Sequence, residues 1–248
     1  MSTIYILWLR QLKRHFRSKA RMIGSLGQPI LFLVALGFGF GPIYKQAGGG
    51  NYMQFLAPGV IGMGILFTAI FSGIEVIWDR QFGFLKETLV APVSRTAIMI
   101  GRTLGGASVA TIQGLMVLII SLFIGFQPGN LLGLPLAILF MFMIAIVFTA
   151  LGTAIACLLD DMQGFQLIMN FLVMPLFFLS GALFPLKGLP AAITVIARID
   201  PLSYGIDAIR GSLVGIYHFG LGTDFLVLGV MILILMGIGS YLFGKIEP

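Results

Sequence analysis

Charged residues interrupt this chain so rarely that their positions set its pattern. Long apolar runs, almost free of Asp, Glu, Lys and Arg, cover residues 22–44, 52–78, 103–126, 131–159, 165–184 and 225–244. Each has the roughly 20 residues that a helix needs to cross the hydrocarbon of a bilayer. The runs are separated by turn signals such as Gln127–Asn130 (QPGN) and by the pair Asp160–Asp161. The pattern therefore predicts an all-α integral membrane protein with six transmembrane helices, the fifth interrupted by Pro175.

Composition sharpens this picture. Hydrophobic residues make up 58% of the 248 and charged residues only 10%, whereas a soluble domain carries about 25% charged residues. The 33 glycines are tolerated where membrane helices approach closely. The single cysteine, Cys157, excludes an internal disulfide and is read as a small packing residue. The first apolar run is longer than a signal-peptide core and has no small-residue cleavage site after it, so it is read as an anchor.

The net charge of +6 would raise the question of nucleic acid in a soluble protein. Here the basic residues flank apolar runs, so they act as topology signals, and no nucleic-acid partner is expected. With the N-terminus inside, eleven of the 15 lysines and arginines fall on the cytoplasmic side. Both termini are then expected in the cytoplasm, in a bacterial-type plasma (inner) membrane.

Two segments are too polar to span. Residues 1–21 hold an amphipathic helix, with Ile4, Tyr5, Trp8, Leu12 and Phe16 near one face and Arg10, Lys13, Arg14 and Arg17 largely elsewhere; it suits the membrane interface. Residues 185–220 contain two short helical candidates, the second opening on Asp200 as N-cap and Pro201 at the first position. They read as short re-entrant helices at the outer side, or as an external cap over the span ends.

Several chemistries lack their residues. No phosphate-binding G-x-x-x-x-G-K-[ST] loop, H-E-x-x-H or G-x-S-x-G occurs. Two histidines and one cysteine make no metal site. Catalytic, cofactor and metal residues are therefore expected to be absent, and the chain is read as a non-enzyme. No lone charge sits at mid-span, unlike most proton-coupled carriers. Glu75 and Asp79, at i and i+4, are placed at the cytoplasmic end of the second span, solvated at the interface.

The segment 80–95, RQFGFLKETLVAPVSR, stands out between two oily runs. Phe84 offers apolar contact, Arg80, Lys86, Glu87 and Arg95 offer polar anchoring, and Pro92 would stop or bend a helix before the third span. Such a segment suits a handle on which a soluble partner pulls. From the residues alone, a solvated connector is the alternative.

Two stretches, FLKETLVAPVSRTAIMIGR (Phe84–Arg102) and FLSGALFPLKGLP…IDPLSYGIDAIRG (Phe178–Gly211), together with YMQFLAPGVIGMGI (Tyr52–Ile65), resemble the ABC type-2 permease family, most of all its daunorubicin-resistance-like branch. That family includes drug, polysaccharide and nodulation-factor exporters. The resemblance covers nearly the whole chain. It implies a permease subunit of an ATP-driven exporter for a hydrophobic or amphipathic substrate, such as a drug, lipid or lipid-linked glycan. It implies a coupling helix within 80–95 that docks on a separate ABC ATP-binding subunit, with Glu87 as the matching acidic residue. It implies an outer re-entrant motif carrying Ser180, Gly181, Pro201, Tyr204 and Arg210. It also implies a second permease copy, two ATP-binding subunits, and ATP with Mg held by those partners. A secondary carrier or channel working without an ATPase is the alternative function.

Overall fold

The computed structural model describes residues 2–48, 50–84, 93–186 and 190–245, and no strand occurs among them. The helices are α1 (Thr3–Arg17), α2 (Lys19–Gln46), α3 (Tyr52–Phe71), α4 (Ile74–Gln81), α5 (Arg95–Ile124), α6 (Leu134–Cys157), α7 (Met162–Leu179), α8 (Ala191–Ile199), α9 (Pro201–Val214) and α10 (Leu221–Gly244), with a single 3-10 turn, Leu131–Gly133, before α6. Among the described residues, six segments are long and apolar enough to cross a membrane: Met22–Gln46, Tyr52–Gln81, Arg95–Ile124, Leu131–Cys157, Met162–Leu179 and Leu221–Gly244.

Local chemistry sets the helix ends. Asn51, Ser94, Asp161 and Asp200 each accept a backbone N–H of the first turn of α3, α5, α7 and α9, satisfying donors that helix geometry leaves unpaired. Gly125 and Gly215 close α5 and α9 in the left-handed region, at φ 118° and 82°. Pro29, Pro42, Pro58 and Pro175 sit inside helices, where neighbouring membrane helices make the lost hydrogen bond tolerable.

The centre of the bundle is α3, packed against α2, α5, α6 and α9. Its Leu56, Val60, Ile61, Ile65, Leu66 and Ala69 are fully enclosed. Lipid is as apolar as leucine, so close packing rather than hydrophobic expulsion must hold such helices together. One close approach is between Gly73 and Gly152. A Cβ on Gly73 would collide with the backbone of Gly152, and a Cβ on Gly152 with the backbone of Ile70. This contact sits where α3 gives way to α4, so the second apolar run is one crossing made of two helices.

Interactions group the bundle into two ends. Arg10, Asp79, Arg102 and Phe243 meet at one end, with the α6–α7 turn beside them. Tyr52, Leu183, Phe55, Gly181 and Arg210 meet at the other. At this second end α9 is buried against α3, α6 and α10, although its 14 residues are too few to cross a bilayer.

Two features differ from the apolar pattern. The third crossing starts at Arg95, not after Arg102; Arg102 lies inside α5 and is buried. Its charge is met inside the protein, so it need not mark an interface. On α1, Ile4, Leu7, Trp8 and Gln11 pack on Gly101 and Gly105 of α5, and Trp8 Nε1 donates to Ser108 Oγ at 3.0 Å. Tyr5 and Phe16, assigned by periodicity to the same face as Ile4 and Trp8, are exposed.

Replacing Gly152 by valine should lower the thermal midpoint of the purified protein, with an overpacking cost of about 1–3 kcal/mol or more. Gly229→Val, on a side of α10 with nothing within 4 Å, should leave it unchanged. Thermal unfolding in detergent measures both.

Candidate functional site

The two carboxylates four residues apart on α4 face two arginines four residues apart on α1. Arg10 Nη2 lies 3.0 Å from Asp79 Oδ1, and Arg14 Nη2 lies 3.3 Å from Glu75 Oε1. The pairing runs up one helix and down the other, so α1 and α4 form an antiparallel charge ladder. Asp79 also accepts from Arg102 of α5 through its second oxygen. Both members of this inner pair are buried, with side-chain exposures of 6% and 5%. Arginine faces add further contact: Arg14 lies 5.2 Å from the ring of Trp78 and Arg102 lies 5.9 Å from that of Phe243.

The remaining α4 side chains reach the other way. Arg80 donates to the carbonyls of Cys157 and Leu159, both at 3.2 Å, and to the Asp160 carboxylate. It thereby satisfies acceptors at the C-terminus of α6, where a cation is favoured. Gln81 Nε2 donates to Asp160 O at 3.2 Å, and Trp78 Nε1 to the sulfur of Met162. Thus α4 is tied by side chains to α1, α5, and the α6–α7 turn. The chain continues from it into residues 80–95.

Beside the ladder lies a cavity of about 290 Å³ between α1, α2, α3 and α5. Phe67 and Phe71 of α3 form an apolar wall, their rings 6.3 Å apart and nearly parallel. Gln11, Ser25, Gln28 and Glu75 supply polar groups. One turn beyond the cavity-lining Pro29, Phe32 of α2 meets Phe177 of α7 at 5.9 Å. On α7, Gln163, Gln166 and Asn170 are exposed at helical spacing, an unusual face to offer to lipid.

At the other end the motif residues hold α9 in place. Ser180 Oγ donates to Phe177 O at 2.8 Å and accepts from Ala182 N. Gly181, at φ 76°, turns its carbonyl to Arg210 Nη2 at 3.1 Å, and the same nitrogen reaches Phe55 O at 3.3 Å. The guanidinium lies 4.0 Å from the Phe55 ring. Burial lowers the pKa of Arg210 to about 10, with Asp207 opposing the shift, so it stays charged at neutral pH. Pro201 begins α9 behind the Asp200 cap. Tyr204 donates to Arg198 O at 2.7 Å and stacks on Phe219. Burial pushes the Asp200 carboxyl up to about 7, against the pull of the Leu202 N–H and the Ser203 side chain.

The residues singled out in the sequence therefore fall at both ends. Ser180, Gly181, Pro201, Tyr204 and Arg210 come together around α8 and α9. Arg80 anchors the α6–α7 turn, Phe84 is exposed with Arg10 5.9 Å from its ring, and Arg95 opens α5. Lys86, Glu87 and Pro92 lie outside the described residues. The ladder was missed, although its signal was present: arginines at i and i+4 on one helix, carboxylates at i and i+4 on another. Glu75 and Asp79 are not solvated at an interface, as periodicity placed them, because α1 and α5 cover them.

Six apolar crossings, a charged helix laid against them and a buried helix pair at the far end define a multi-pass helical membrane protein. The chain matches the family model described as ABC-2 type transporter over residues 2–214, and it belongs to that family. It is similar to a putative transport permease, ycf38, of Cyanophora paradoxa, at 30% identity over 84% of this chain and 72% of the relative. It is similar to nodulation protein J of Rhizobium leguminosarum bv. viciae, at 28% identity over 84% of this chain and 82% of the relative. It is also similar to the inner membrane transport permease YadH of Escherichia coli K12, at 27% identity over 91% and 88%. The chain is thus the membrane subunit of an ABC transporter, a transport component whose family pairs with an ATP-binding subunit.

Two outcomes follow from this geometry. Asp79→Leu leaves Arg102 buried without its counter-ion and should cost about 3–5 kcal/mol. The double variant Asp79→Leu/Arg102→Met should recover most of that loss, read as the thermal midpoint of each purified protein. Asp200 gives a pH signature. Its unfolded carboxyl titrates near 3.8 and its folded one near 7, so the folded chain keeps the proton between those values. The Asp200 contribution to stability should therefore fall as pH rises from about 4 to about 7 and be level above. Asp200→Asn, which keeps the cap acceptor, should flatten that difference in paired melts at pH 5 and pH 8.

Proposed function

We propose that this permease exports a hydrophobic or amphipathic molecule, such as a drug, lipid or lipid-linked glycan, from the cytoplasm or the inner leaflet. The single observation that carries the reading is the cavity beside the charge ladder. It adjoins α4, from which the chain runs into residues 80–95, and one turn beyond its Pro29 lies the Phe32–Phe177 contact. With most basic residues at the α1 end, that end faces the cytoplasm, and the cavity is then reached from inside.

Export is powered from a partner. A separate ATP-binding subunit, holding ATP and Mg, engages residues 80–95, and Phe84, Lys86 and Glu87 meet it. The working unit is two permeases and two ATP-binding subunits, a homodimer of this chain at its centre. The exposed faces of α2 and α7, with Gln28, Gln163, Gln166 and Asn170 among their side chains, line the path between the two permeases. This chain itself binds no nucleotide. When the two ATP-binding subunits close, the pull on 80–95 reaches α4. Because α4 carries Glu75, Asp79 and Arg80, its movement shifts α1, α5 and the α6–α7 turn together. The cavity narrows and the aromatic contact opens, while the hydrogen-bonded cap end acts as the fixed frame. Both termini remain cytoplasmic.

The test is a permease carrying Phe84→Ala, Lys86→Ala and Glu87→Ala, co-purified with its ATP-binding subunit and placed in vesicles. Substrate-stimulated ATP hydrolysis and transport should both fall by about tenfold or more, the scale of about 1.4 kcal/mol in coupling. Unchanged rates would overturn the coupling assignment. Transport driven by an ion gradient without the subunit would favour a secondary carrier.

A further inference from the structure

We infer that the inner cavity selects organic cations, and that Glu75 is the residue that selects them, using Arg14 as the counter-ion it gives up on loading. The inference rests on the proposed reading of the cavity as the substrate site and names the charge of what enters it.

The groups that face the cavity differ sharply in kind. Glu75 is a cavity-lining carboxylate, with a side chain only 12% exposed. Phe67 and Phe71 also line the cavity, their rings nearly parallel and 6.3 Å apart. Gln11, Gln28 and Ser25 are its uncharged polar lining. A carboxylate beside two aromatic rings in an apolar cavity is the surrounding that favours a protonated or quaternary amine on an apolar body. A phosphate or carboxylate head would meet Glu75 instead, at close range and out of water.

The neighbouring cations do not cancel this preference. Arg10 and Arg102 are both held by Asp79, one turn along α4. Arg14 reaches Glu75 through one nitrogen at 3.3 Å, a single rather than a forked contact, and its side chain is 30% exposed. Arg14 can thus exchange its partner and stay partly solvated, since it also has the Trp78 ring at 5.2 Å to rest on. His15 also lines the cavity. A ligand ammonium at Glu75 replaces Arg14 charge for charge. That exchange frees the second rung of the ladder and loosens α1 from α4 when the cavity is filled. Glu75 is therefore both a specificity-determining residue and the point where occupancy is felt by α1.

The test uses the full permease in nanodiscs with tetraphenylphosphonium as cationic probe and triphenylphosphine oxide as a neutral compound of related shape. Wild type should bind the cation, and Glu75→Gln should weaken that binding by about tenfold while neutral binding stays as it was. Arg14→Gln should strengthen cation binding, because the competing guanidinium is gone; a merely structural salt bridge would not do this. Equal cation affinity in wild type and Glu75→Gln, or no gain in Arg14→Gln, would overturn the selection by charge and leave the cavity as a neutral substrate site. Binding of neither compound, with Phe67→Ala also without effect on transport, would overturn the cavity as substrate site and this inference with it.

Discussion

Asp79 is the residue on which the α1 end depends. A carboxylate inside a membrane crossing is expensive, and so is a buried guanidinium. Each is tolerable here because the other is present: Arg102 meets one oxygen of Asp79 and Arg10 the other. The requirement that neither charge be left alone fixes three helices at once. It fixes α4 through Asp79, α5 through Arg102 and α1 through Arg10. Helix α1, which by composition belongs to an interface, is thereby drawn onto α5, where Gly101 and Gly105 give it room.

The two ends of the molecule are built from different interactions. Around α9, carbonyls and aromatic rings surround Arg210, hydroxyls cap local backbone, and Asp207 accepts the N–H groups of His218 and Phe219 at 2.8 Å. These are short, directional contacts with one good geometry. At the α1 end, contacts between arginines and carboxylates on separate helices have several acceptable geometries and partners. Arg14 is partly exposed, Arg80 rests on carbonyls that any helix end supplies, and Phe84 stands exposed at the last described turn before 93. A fixed end and an exchangeable end, joined by continuous helices, are the physical requirements of a lever.

The six crossings were legible because the bilayer admits few solutions: a run of about 20 apolar residues must be a helix. The cap at Asp200 was equally local. Arg102 was misplaced because one residue's charge says only that it needs compensation, and the compensating Asp79 is 23 positions away. Likewise the pattern put Tyr5 and Phe16 with Ile4 and Trp8, while packing chose the side that fits glycines on α5. The motif around Pro201, Tyr204 and Arg210 was visible as letters, but its partners, the carbonyls of Phe55, Gly181 and Arg198, have no signature, since every residue carries one.

By itself the sequence determined that this is a six-crossing helical membrane protein with a basic first helix, a charged connector at 80–95 and no nucleotide-binding loop of its own. Hydropathy and turn chemistry act over a few residues, so the chain states them directly. Only the tertiary structure decided which charges are buried, that Glu75 and Asp79 answer Arg14 and Arg10 rung by rung, and that a cavity lies beside them. Those facts depend on distances between helices far apart in the chain, and helix-to-helix spacing is set by the packing of the whole bundle.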